Sequence, residues 1–369
     1  MNHVIIVGGG IIGMLTAREL LEAGLKVSLL DRRLLAQESS WAGGGIVSPL
    51  YPWRYADSVT RLASASQALY PECAAELLSA TGIDPEYERC GMLVVAPGEE
   101  DEALAWAARH ERVVEQVDAA RIAAIETALP APPASALWMP RVAQIRNPRM
   151  TQALRRELGR RGATLLEHTP CLGLILEHDR IGGVRTPGGD LAADAVVVCA
   201  GAWTRDLLAP LSTPPDVTPV RGQMLLFHGD PGALSTIVLE NNRYVIPRRD
   251  GRILFGSTLE QAGFDKSTTA EAYEELHALA VERFPMLQRC PVERHWAGLR
   301  PAAPAGVPYI SGHPSIPNLF VNAGHYRNGI VLGPASARLT ADLMLGRPPV
   351  VPPEPYRWTA ARPDGARGS

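Results

Sequence analysis

The 369-residue sequence lacks long hydrophobic runs, cysteine motifs and an excess of charge. No stretch reaches the roughly 18 apolar residues that a membrane-spanning helix needs, and no basic region precedes the first apolar run. We therefore expect neither a membrane anchor nor a signal peptide. The five cysteines are odd in number and form no C-x-x-C pair, which argues against a disulfide framework or a zinc site and favours a reducing cytoplasm.

Lysine is nearly absent, because Lys26 and Lys266 are the only two in the chain. The formal net charge is −3 and the arginines are dispersed, so the composition gives no electrostatic basis for binding nucleic acid or an anionic membrane. Hydrophobic residues make up 46% of the chain, which is enough for a sizeable core. At this length we expect two domains, or one domain with a large insertion.

The N-terminus carries the strongest motif. Val4 to Val7 form an apolar, β-branched run typical of a buried strand, and Gly8, Gly10 and Gly13 follow in the spacing G-x-G-x-x-G. A helical run and a second strand come next, and that strand ends in Asp31. A strand, a glycine turn, a helix and an acid in this order predict a dinucleotide site, with the pyrophosphate at the helix N-terminus and the acid on the adenosine ribose.

The acid also bears on which dinucleotide binds. A carboxylate at Asp31 favours a free ribose 2′-hydroxyl, and therefore FAD or NAD rather than NADP. Arg32 and Arg33 follow directly and would suit a 2′-phosphate, so NADP stays an alternative on these residues alone. The other alternative is a doubly wound fold whose glycines serve only packing, and the acid in its expected place argues against it.

The later segments differ from the N-terminal one in the kind of secondary structure they predict. Residues 195–198 form a second apolar strand, which either joins the first sheet or is some other central parallel strand. Residues 212–219 contain three prolines and predict a linker, and the short strands with polar turns after it indicate an antiparallel sheet. We also predict a helix over 117–129 and a poorly ordered tail from residue 348.

Two arginines are candidates for binding a substrate. Arg300 and Arg327 each lie in an apolar segment bounded by proline or glycine, and arginine suits a planar, bidentate grip on a carboxylate. Either they bind a substrate carboxylate, or they are surface residues in an arginine-rich chain. Residues 324–333 also place a second helix N-terminus after a strand. We assign no residue as a catalytic acid or base.

Taken in order, five motifs resemble the D-amino-acid-oxidase-type FAD oxidoreductases over nearly the whole chain, to about Leu345. The motifs are Gly8-x-Gly10-x-x-Gly13, Ser39-Ser40-x-x-Gly43-Gly44-Gly45, Pro219-x-Arg221-Gly222-Gln223, Trp296-x-Gly298-Leu299-Arg300-Pro301 and Gly324-His325-Tyr326-Arg327-Asn328-Gly329-Ile330. The first is generic and the last is the most specific. Within the family, the resemblance is to members that oxidise glycine in thiamine biosynthesis.

This resemblance implies an α/β fold with a Rossmann-type FAD-binding domain and an α+β substrate domain that contains an antiparallel sheet. The FAD-binding domain would comprise residues 1–82, 145–218 and 296–347. The substrate domain would comprise residues 83–144 and 219–295, and residues 348–369 would be a tail.

The resemblance also implies the residues of the site. FAD would be held without a covalent bond, because residues 302–310 contain no cysteine that could tether it. The cofactor contacts, with the glycine motif included, would be Gly8, Gly10, Ile11, Ile12, Gly13, Asp31, Arg32, Ser39, Ser40, Gly44, Gly45, Ile46, Cys171, His325, Tyr326, Arg327, Asn328, Gly329, Ile330 and Val331. The substrate contacts would be Arg300, Arg327, Tyr244 and Leu259, and no metal is expected.

The implied activity is the oxidative deamination of glycine and small amines such as sarcosine and small D-amino acids. Hydride would pass to flavin N5 and O2 would accept the electrons, giving glyoxylate or another 2-oxo acid, ammonia or an amine, and hydrogen peroxide. A cytoplasmic homotetramer is the implied assembly. The alternatives are a dehydrogenase of the same fold with another electron acceptor, and the flavin domain of a tRNA-modifying enzyme.

Overall fold

The computed structural model describes residues 1–362 and confirms the predicted mixed α/β class. Its strands are β1 (His3–Val7), β2 (Lys26–Leu30), β3 (Met92–Val95), β4 (Glu115–Asp118), β5 (Ser135–Met139), β6 (Thr164–Leu166), β7 (Gly173–Glu177), β8 (Arg180–Thr186), β9 (Gly189–Ala192), β10 (Ala195–Val198), β11 (Thr218–His228), β12 (Ile237–Glu240), β13 (Arg243–Pro247), β14 (Arg252–Gly256), β15 (Val292–Ala302), β16 (Tyr309–Gly312) and β17 (Leu319–Ala323). Its α-helices are α1 (Ile11–Glu22), α2 (Ser39–Ala42), α3 (Asp57–Thr81), α4 (Glu100–Arg109), α5 (Ala119–Ile125), α6 (Asn147–Arg160), α7 (Thr204–Leu208), α8 (Ala270–Arg283) and α9 (Gly329–Leu345).

The first sheet is six-stranded in the order β16-β17-β10-β1-β2-β6. Strand β1 pairs in parallel with both β2 and β10, and β10 pairs in parallel with β17. The apolar run of β10 therefore joins the first sheet, which the sequence had left open. Its four residues are all buried, as expected for a strand covered on both faces. Strand β6 also pairs in parallel with β2, so this arrangement brings the carboxyl ends of five parallel strands to one edge of the sheet.

Two glycines of the motif allow close packing, Gly8 against the end of β10 and Gly13 between α1 and β1. Gly8 has φ +111°, and a Cβ added there would lie 2.3 Å from the carbonyl oxygen of Cys199. A Cβ added at Gly13 would lie 1.9 Å from the carbonyl oxygen of Gly8. A side chain at Gly8 would collide with the backbone that follows β10, and one at Gly13 would push α1 away from β1, so Gly13 sets the close approach that the motif predicts.

The second sheet is eight-stranded, in the order β15-β11-β14-β13-β12-β3-β5-β4. Its strands come from residues 83–144 and 219–295, the two segments predicted to share a substrate domain. Strand β15, however, pairs with β11 as far as Ala302, so the predicted boundary at residue 296 falls inside a strand. The division into domains itself stays a prediction. A small third sheet contains β7, β8 and β9.

The predicted helix over 117–129 is partly wrong. Residues 115–118 form β4, which pairs with β5, and the helix α5 covers only Ala119–Ile125. The carboxylate of Asp118 explains where the helix starts, because it accepts a hydrogen bond of 2.8 Å from the Arg121 amide and so caps the N-terminus. The periodicity of the alanine-rich run did not show this change of structure.

The prediction of a poorly ordered tail is wrong for residues 348–362. Tyr356 is 1% exposed and Trp358 is 6% exposed, so both aromatic rings are buried against the body of the protein. The Tyr356 hydroxyl donates to the carbonyl of Ser58 at 2.6 Å, and the Trp358 amide donates to Ser311 Oγ at 2.8 Å. Burial of two large rings outweighs the cost of ordering this proline-rich segment. Residues 363–369 lie outside the described residues.

Substituting Tyr356→Phe is expected to lower the free energy of unfolding by about 1–3 kcal/mol, because the carbonyl of Ser58 loses its buried donor. Urea denaturation measures this. The control is Tyr87→Phe, whose hydroxyl makes no hydrogen bond to any described residue and whose loss should change stability little. An unchanged midpoint for the Tyr356 variant would show that this hydrogen bond contributes nothing to stability.

Among residues 1–362, no helix is both long and apolar enough to cross a bilayer.

Candidate functional site

A cavity of about 570 Å³ lies at the carboxyl edge of the first sheet and extends to the second sheet. Its wall includes the ends of β1, β2, β10 and β17 at Val7, Leu30, Cys199 and Asn322. Ligands of open parallel sheets bind at this edge, where crossover connections leave a crevice. The size is within the range of cofactor and small-molecule sites.

One end of the cavity is formed by the glycine turn and the start of α1. The amide of Ile11 donates to Ser40 Oγ at 2.8 Å, which ties α2 to the helix N-terminus. Within the described chain, the amides of Gly10 and Ile12 donate to no protein acceptor. Free amides at a helix N-terminus, with the positive end of the helix dipole, suit a phosphate. The geometry therefore fits the pyrophosphate predicted from the motif.

Asp31 lies at the end of β2 beside this turn. Its Oδ2 accepts from the Gly9 amide at 2.8 Å and its Oδ1 accepts from the Arg33 amide at 2.9 Å. Burial raises the pKa of Asp31, and the two amide hydrogen bonds oppose that rise by favouring the carboxylate. Each oxygen keeps a further lone pair that can accept from a ribose hydroxyl.

Arg32 is engaged with protein groups. Its guanidinium forms an ion pair of 3.0 Å with Glu38 and lies 3.6 Å from the centre of the Trp203 ring. Phe264 in turn stacks on Trp203, with the two ring centres 5.4 Å apart. Because the charge of Arg32 is already balanced by a carboxylate, Arg32 gives little support to the alternative of a 2′-phosphate.

The opposite end of the cavity is lined by a glycine loop, residues 43–46, packed against the second sheet. A Cβ added at Gly44 would lie 2.7 Å from Ile246 and 3.2 Å from Tyr244, so a larger residue would not fit against these side chains. Gly45 has φ +79°, and a Cβ there would lie 2.0 Å from the carbonyl oxygen of Ile145. The cavity thus combines a phosphate-binding turn, a ribose-binding acid and a narrow glycine-lined end, which together fit FAD.

Arg300 lies on β15 at this second end. Its Nη1 donates to the carbonyls of Arg221 and Thr258 at 3.2 and 3.1 Å, and its Nη2 donates to Ser257 Oγ at 2.5 Å. A Cβ added at Gly222 would lie 2.0 Å from Nη1, so the glycine of this motif provides the space for the guanidinium. Burial and then the charge of Arg327 lower the pKa of Arg300.

Arg327 lines the same cavity from the turn before α9. Its Nη2 is buried without a hydrogen-bond partner. Among residues 1–362, neither Arg300 nor Arg327 forms an ion pair with a carboxylate, whereas about half of the described arginines do. Buried charges are normally paired, so two unpaired guanidinium groups on one cavity wall favour an anionic ligand such as a carboxylate.

His325 lines the cavity but is unsuited to proton transfer. It is 2% exposed, and its Nε2 shares a hydrogen bond of 3.0 Å with Ser336 Oγ inside α9. Burial lowers the pKa of His325 to about 3, so the ring is neutral near pH 7. Its environment is that of a residue that holds the turn.

The structure brings most of the predicted contacts onto one wall. Those that line the cavity are Gly8, Gly10, Ile11, Ile12, Asp31, Arg32, Ser39, Ser40, Gly44, Gly45, Ile46, Cys171, Tyr244, Arg300, His325, Tyr326, Arg327, Gly329 and Ile330. Whether each contacts a ligand stays a prediction.

Four predicted contacts do not line the cavity. Gly13 packs against β1, and Val331 is buried in the hydrophobic core beside the first sheet. Asn328 is 2% exposed, and Leu259 packs in a small cluster with Val220, Ala302 and Tyr326.

The sequence reasoning missed several wall residues. Glu38 and Trp203 position Arg32, and Met224 lies under Tyr244 on β11. The glycine after β10, Gly201, could have been a signal, since a strand that pairs with β1 must end beside Gly8. Nothing in the local sequence distinguishes Trp203 or Met224 from ordinary core residues.

Comparison with known proteins places this geometry in context. A family model described as FAD dependent oxidoreductase matches residues 3–343. A protein named glycine oxidase from Pseudomonas aeruginosa is 48% identical over 356 residues, which cover 96% of this chain and 98% of that protein. The bifunctional protein ThiO/ThiG of Trichormus variabilis is 32% identical over 350 residues, which cover 93% of this chain and 53% of that protein.

Solved structures agree in fold. The crystal structure of glycine oxidase from Geobacillus kaustophilus matches with a TM-score of 0.92 and 29% identity, covering 98% of this chain and all of that chain. The crystal structure of iminodiacetate oxidase from Chelativorans sp. BNC1 matches with a TM-score of 0.87 and 26% identity, covering 96% of this chain and 98% of the other.

Proposed function

The chain belongs to the family of FAD-dependent oxidoreductases, and from this premise we propose that it is an FAD-dependent oxidase of glycine and other small amines. The products would be glyoxylate or another 2-oxo acid, ammonia or an amine, and hydrogen peroxide. The 48% identity to a glycine oxidase over nearly the full chain supports this substrate class. The likeness to a ThiO/ThiG protein supports a role in making the thiazole of thiamine.

The single observation that carries the proposal is the unpaired guanidinium of Arg300 at the glycine-lined end of the cavity. Three oxygens of the protein hold its Nη atoms in place, and none of them neutralises its charge. A substrate carboxylate would supply the missing anion in a charge-assisted hydrogen bond. This hydrogen bond would fix the α-carbon of the amino acid relative to the cavity wall. Holding the reacting atom in one position is how orientation accelerates a reaction of this kind.

Tyr244 helps to keep the guanidinium in place. Its hydroxyl donates to Ser257 Oγ at 3.2 Å, and the same Oγ accepts from Arg300. The ring also lies beside the glycine loop, since a Cβ added at Gly44 would be 3.2 Å from it. Tyr244 therefore connects the proposed substrate end to the proposed cofactor end of the cavity.

Bound FAD would supply the two-electron acceptor for the α-carbon and its attached hydrogen. The protein would bind the amino acid with its amine uncharged and in one orientation. It would also keep other cations from competing for the substrate carboxylate. His325 is neutral and turned into α9, so we assign it no proton transfer. The amine loses its proton to solvent, and water then hydrolyses the imine product to the 2-oxo acid and ammonia.

The proposal is tested with purified full-length protein and glycine. We expect acid precipitation to release the yellow flavin, in line with non-covalent binding. Without oxygen, glycine should bleach the flavin, and air should restore the colour with one hydrogen peroxide formed per glyoxylate. Bleaching that air does not reverse would indicate a dehydrogenase with another acceptor. Flavin that neither glycine nor sarcosine bleaches would contradict the proposal.

A further inference from the structure

A second buried arginine, Arg248, lies behind the cavity wall. It follows β13 and is 7% exposed. Its guanidinium makes three hydrogen bonds, all to uncharged oxygens. Within residues 1–362 no carboxylate forms an ion pair with it, and its Nε is buried without a partner. A cation held this way costs folding free energy, so its position calls for a reason beyond stability.

The three acceptors belong to the two segments that build the glycine-lined end. Nη2 donates to the carbonyl of Gly44 at 2.7 Å. Nη1 donates to Gln144 Oε1 at 2.7 Å and to the carbonyl of Ile145 at 3.3 Å. The Ile145 amide in turn donates to the carbonyl of Gly45 at 2.8 Å. One guanidinium therefore joins the glycine loop to the segment that supports it from outside.

The carbonyl that Arg248 holds determines where the next amide points. In a trans peptide the C=O and the N–H lie on opposite sides of one plane. Because the Gly44 carbonyl is turned toward Arg248, away from the cavity, the Gly45 N–H is turned the other way. In the described part of the chain, the amides of Gly44, Gly45 and Ile46 donate to no protein acceptor. All three residues line the cavity.

We propose that Arg248 is a positioning residue for FAD: it orients the Gly44–Gly45 peptide so that the Gly45 amide donates into the cavity at the end that receives the isoalloxazine ring. The ring carries carbonyl and imine acceptors that need donors of this kind. A chain of neighbours identifies the ring end: a Cβ added at Gly44 would lie 3.2 Å from Tyr244, the Tyr244 hydroxyl donates to Ser257 Oγ, and Arg300 donates to the same Oγ.

The charge of Arg248 persists at working pH. Burial, and then the nearby charge of Arg146, lower its pKa to about 10, which still leaves the guanidinium protonated near pH 7. Arginine is suited to the task because its planar fork donates from two separate nitrogens to acceptors on two segments, whereas an ammonium donates from a single atom. The proposal does not depend on which amine the protein oxidises.

The test compares two ligands on the full-length apoprotein. FAD contains the isoalloxazine ring, whereas ADP occupies only the end formed by the glycine turn and Asp31. Arg248→Met is expected to raise the Kd for FAD at least tenfold, measured by flavin fluorescence, and to leave the Kd for ADP within twofold, measured by calorimetry. Arg248→Lys should have an intermediate effect on FAD, since an ammonium keeps the charge but loses part of the fork.

The matched control is Arg249→Met, the next residue, whose guanidinium pairs with Asp84 at the surface at 3.0 Å. It should change neither Kd. An unchanged Kd for FAD in Arg248→Met would overturn the proposal. An equal loss of FAD and ADP would also overturn it, because that outcome indicates general damage to the fold. If Arg248→Met does not fold, the same comparison is made with Arg248→Lys. A Kd for FAD that rises more than the Kd for ADP supports the proposal, and equal changes overturn it.

Discussion

Replacing Arg300 with methionine is expected to lower kcat/KM for glycine by about 10²- to 10³-fold while FAD stays bound. Methionine fills much of the same volume but leaves the substrate carboxylate without a charged partner. Truncating one partner of a buried charge pair costs about 2–5 kcal/mol, and each 1.4 kcal/mol or so is a factor of ten. Steady-state oxygen consumption over a range of glycine concentrations measures the loss, and the flavin absorbance measures the bound cofactor.

Two further variants make the Arg300 result specific. Arg300→Lys keeps the charge but not the planar fork, so it should recover part of the activity. Arg294→Met changes another arginine of β15, one whose guanidinium lies 5.1 Å from the Trp41 ring at the surface, and it should leave the kinetics unchanged. Wild-type kcat/KM in Arg300→Met would refute the carboxylate role. A loss of FAD from that variant would instead indicate a structural role.

Replacing Gly10 with valine is expected to abolish retention of FAD. The backbone at Gly10 is extended, with φ −73° and ψ −179°, which valine adopts without strain. The nearest protein atom to an added Cβ is Ser40 Oγ at 3.0 Å, and a hydroxyl can shift by a few tenths of an ångström. The side chain would therefore fit the protein but occupy the space that the pyrophosphate needs beside the helix N-terminus.

The measurement is the ratio of flavin to protein after purification, together with the melting temperature of the apoprotein. Gly159→Val is the matched control, because a Cβ at this exposed position of α6 meets no atom within 4 Å. It should purify with full flavin. A Gly10→Val protein that also carries a full complement of flavin would refute the assignment of the glycine turn to the pyrophosphate.

Local sequence was sufficient to predict a structural feature where all the residues that cause it lie in one short segment. The strand before Gly8, the turn, the helix and the acid at Asp31 are consecutive, and each residue type has a single structural use there. Gly222 and Arg300 lie in two separate motifs, and their contact across β11 and β15 became visible only in the structure. The prediction of the tail failed because proline content does not report the burial of Tyr356 and Trp358.

Residues whose role depends on distant partners could not be found this way. Arg248 is one of two adjacent arginines, and only burial separates it from its exposed neighbour. Trp203 became part of the site because α7 follows β10, and β10 pairs with β1. In both cases the decisive contacts join residues more than a hundred positions apart, as in the hydrogen bond from Arg248 to Gly44.

The sequence by itself determined that a parallel sheet with a glycine turn would offer amides and an acid to a dinucleotide, since these groups follow one another along the chain. Only the tertiary structure decided which arginines remain without a carboxylate. Charge balance is a property of space rather than of sequence, because a guanidinium finds or lacks its partner among groups contributed by several strands. The same packing left Arg300 available to a ligand and turned Arg248 toward the backbone of Gly44.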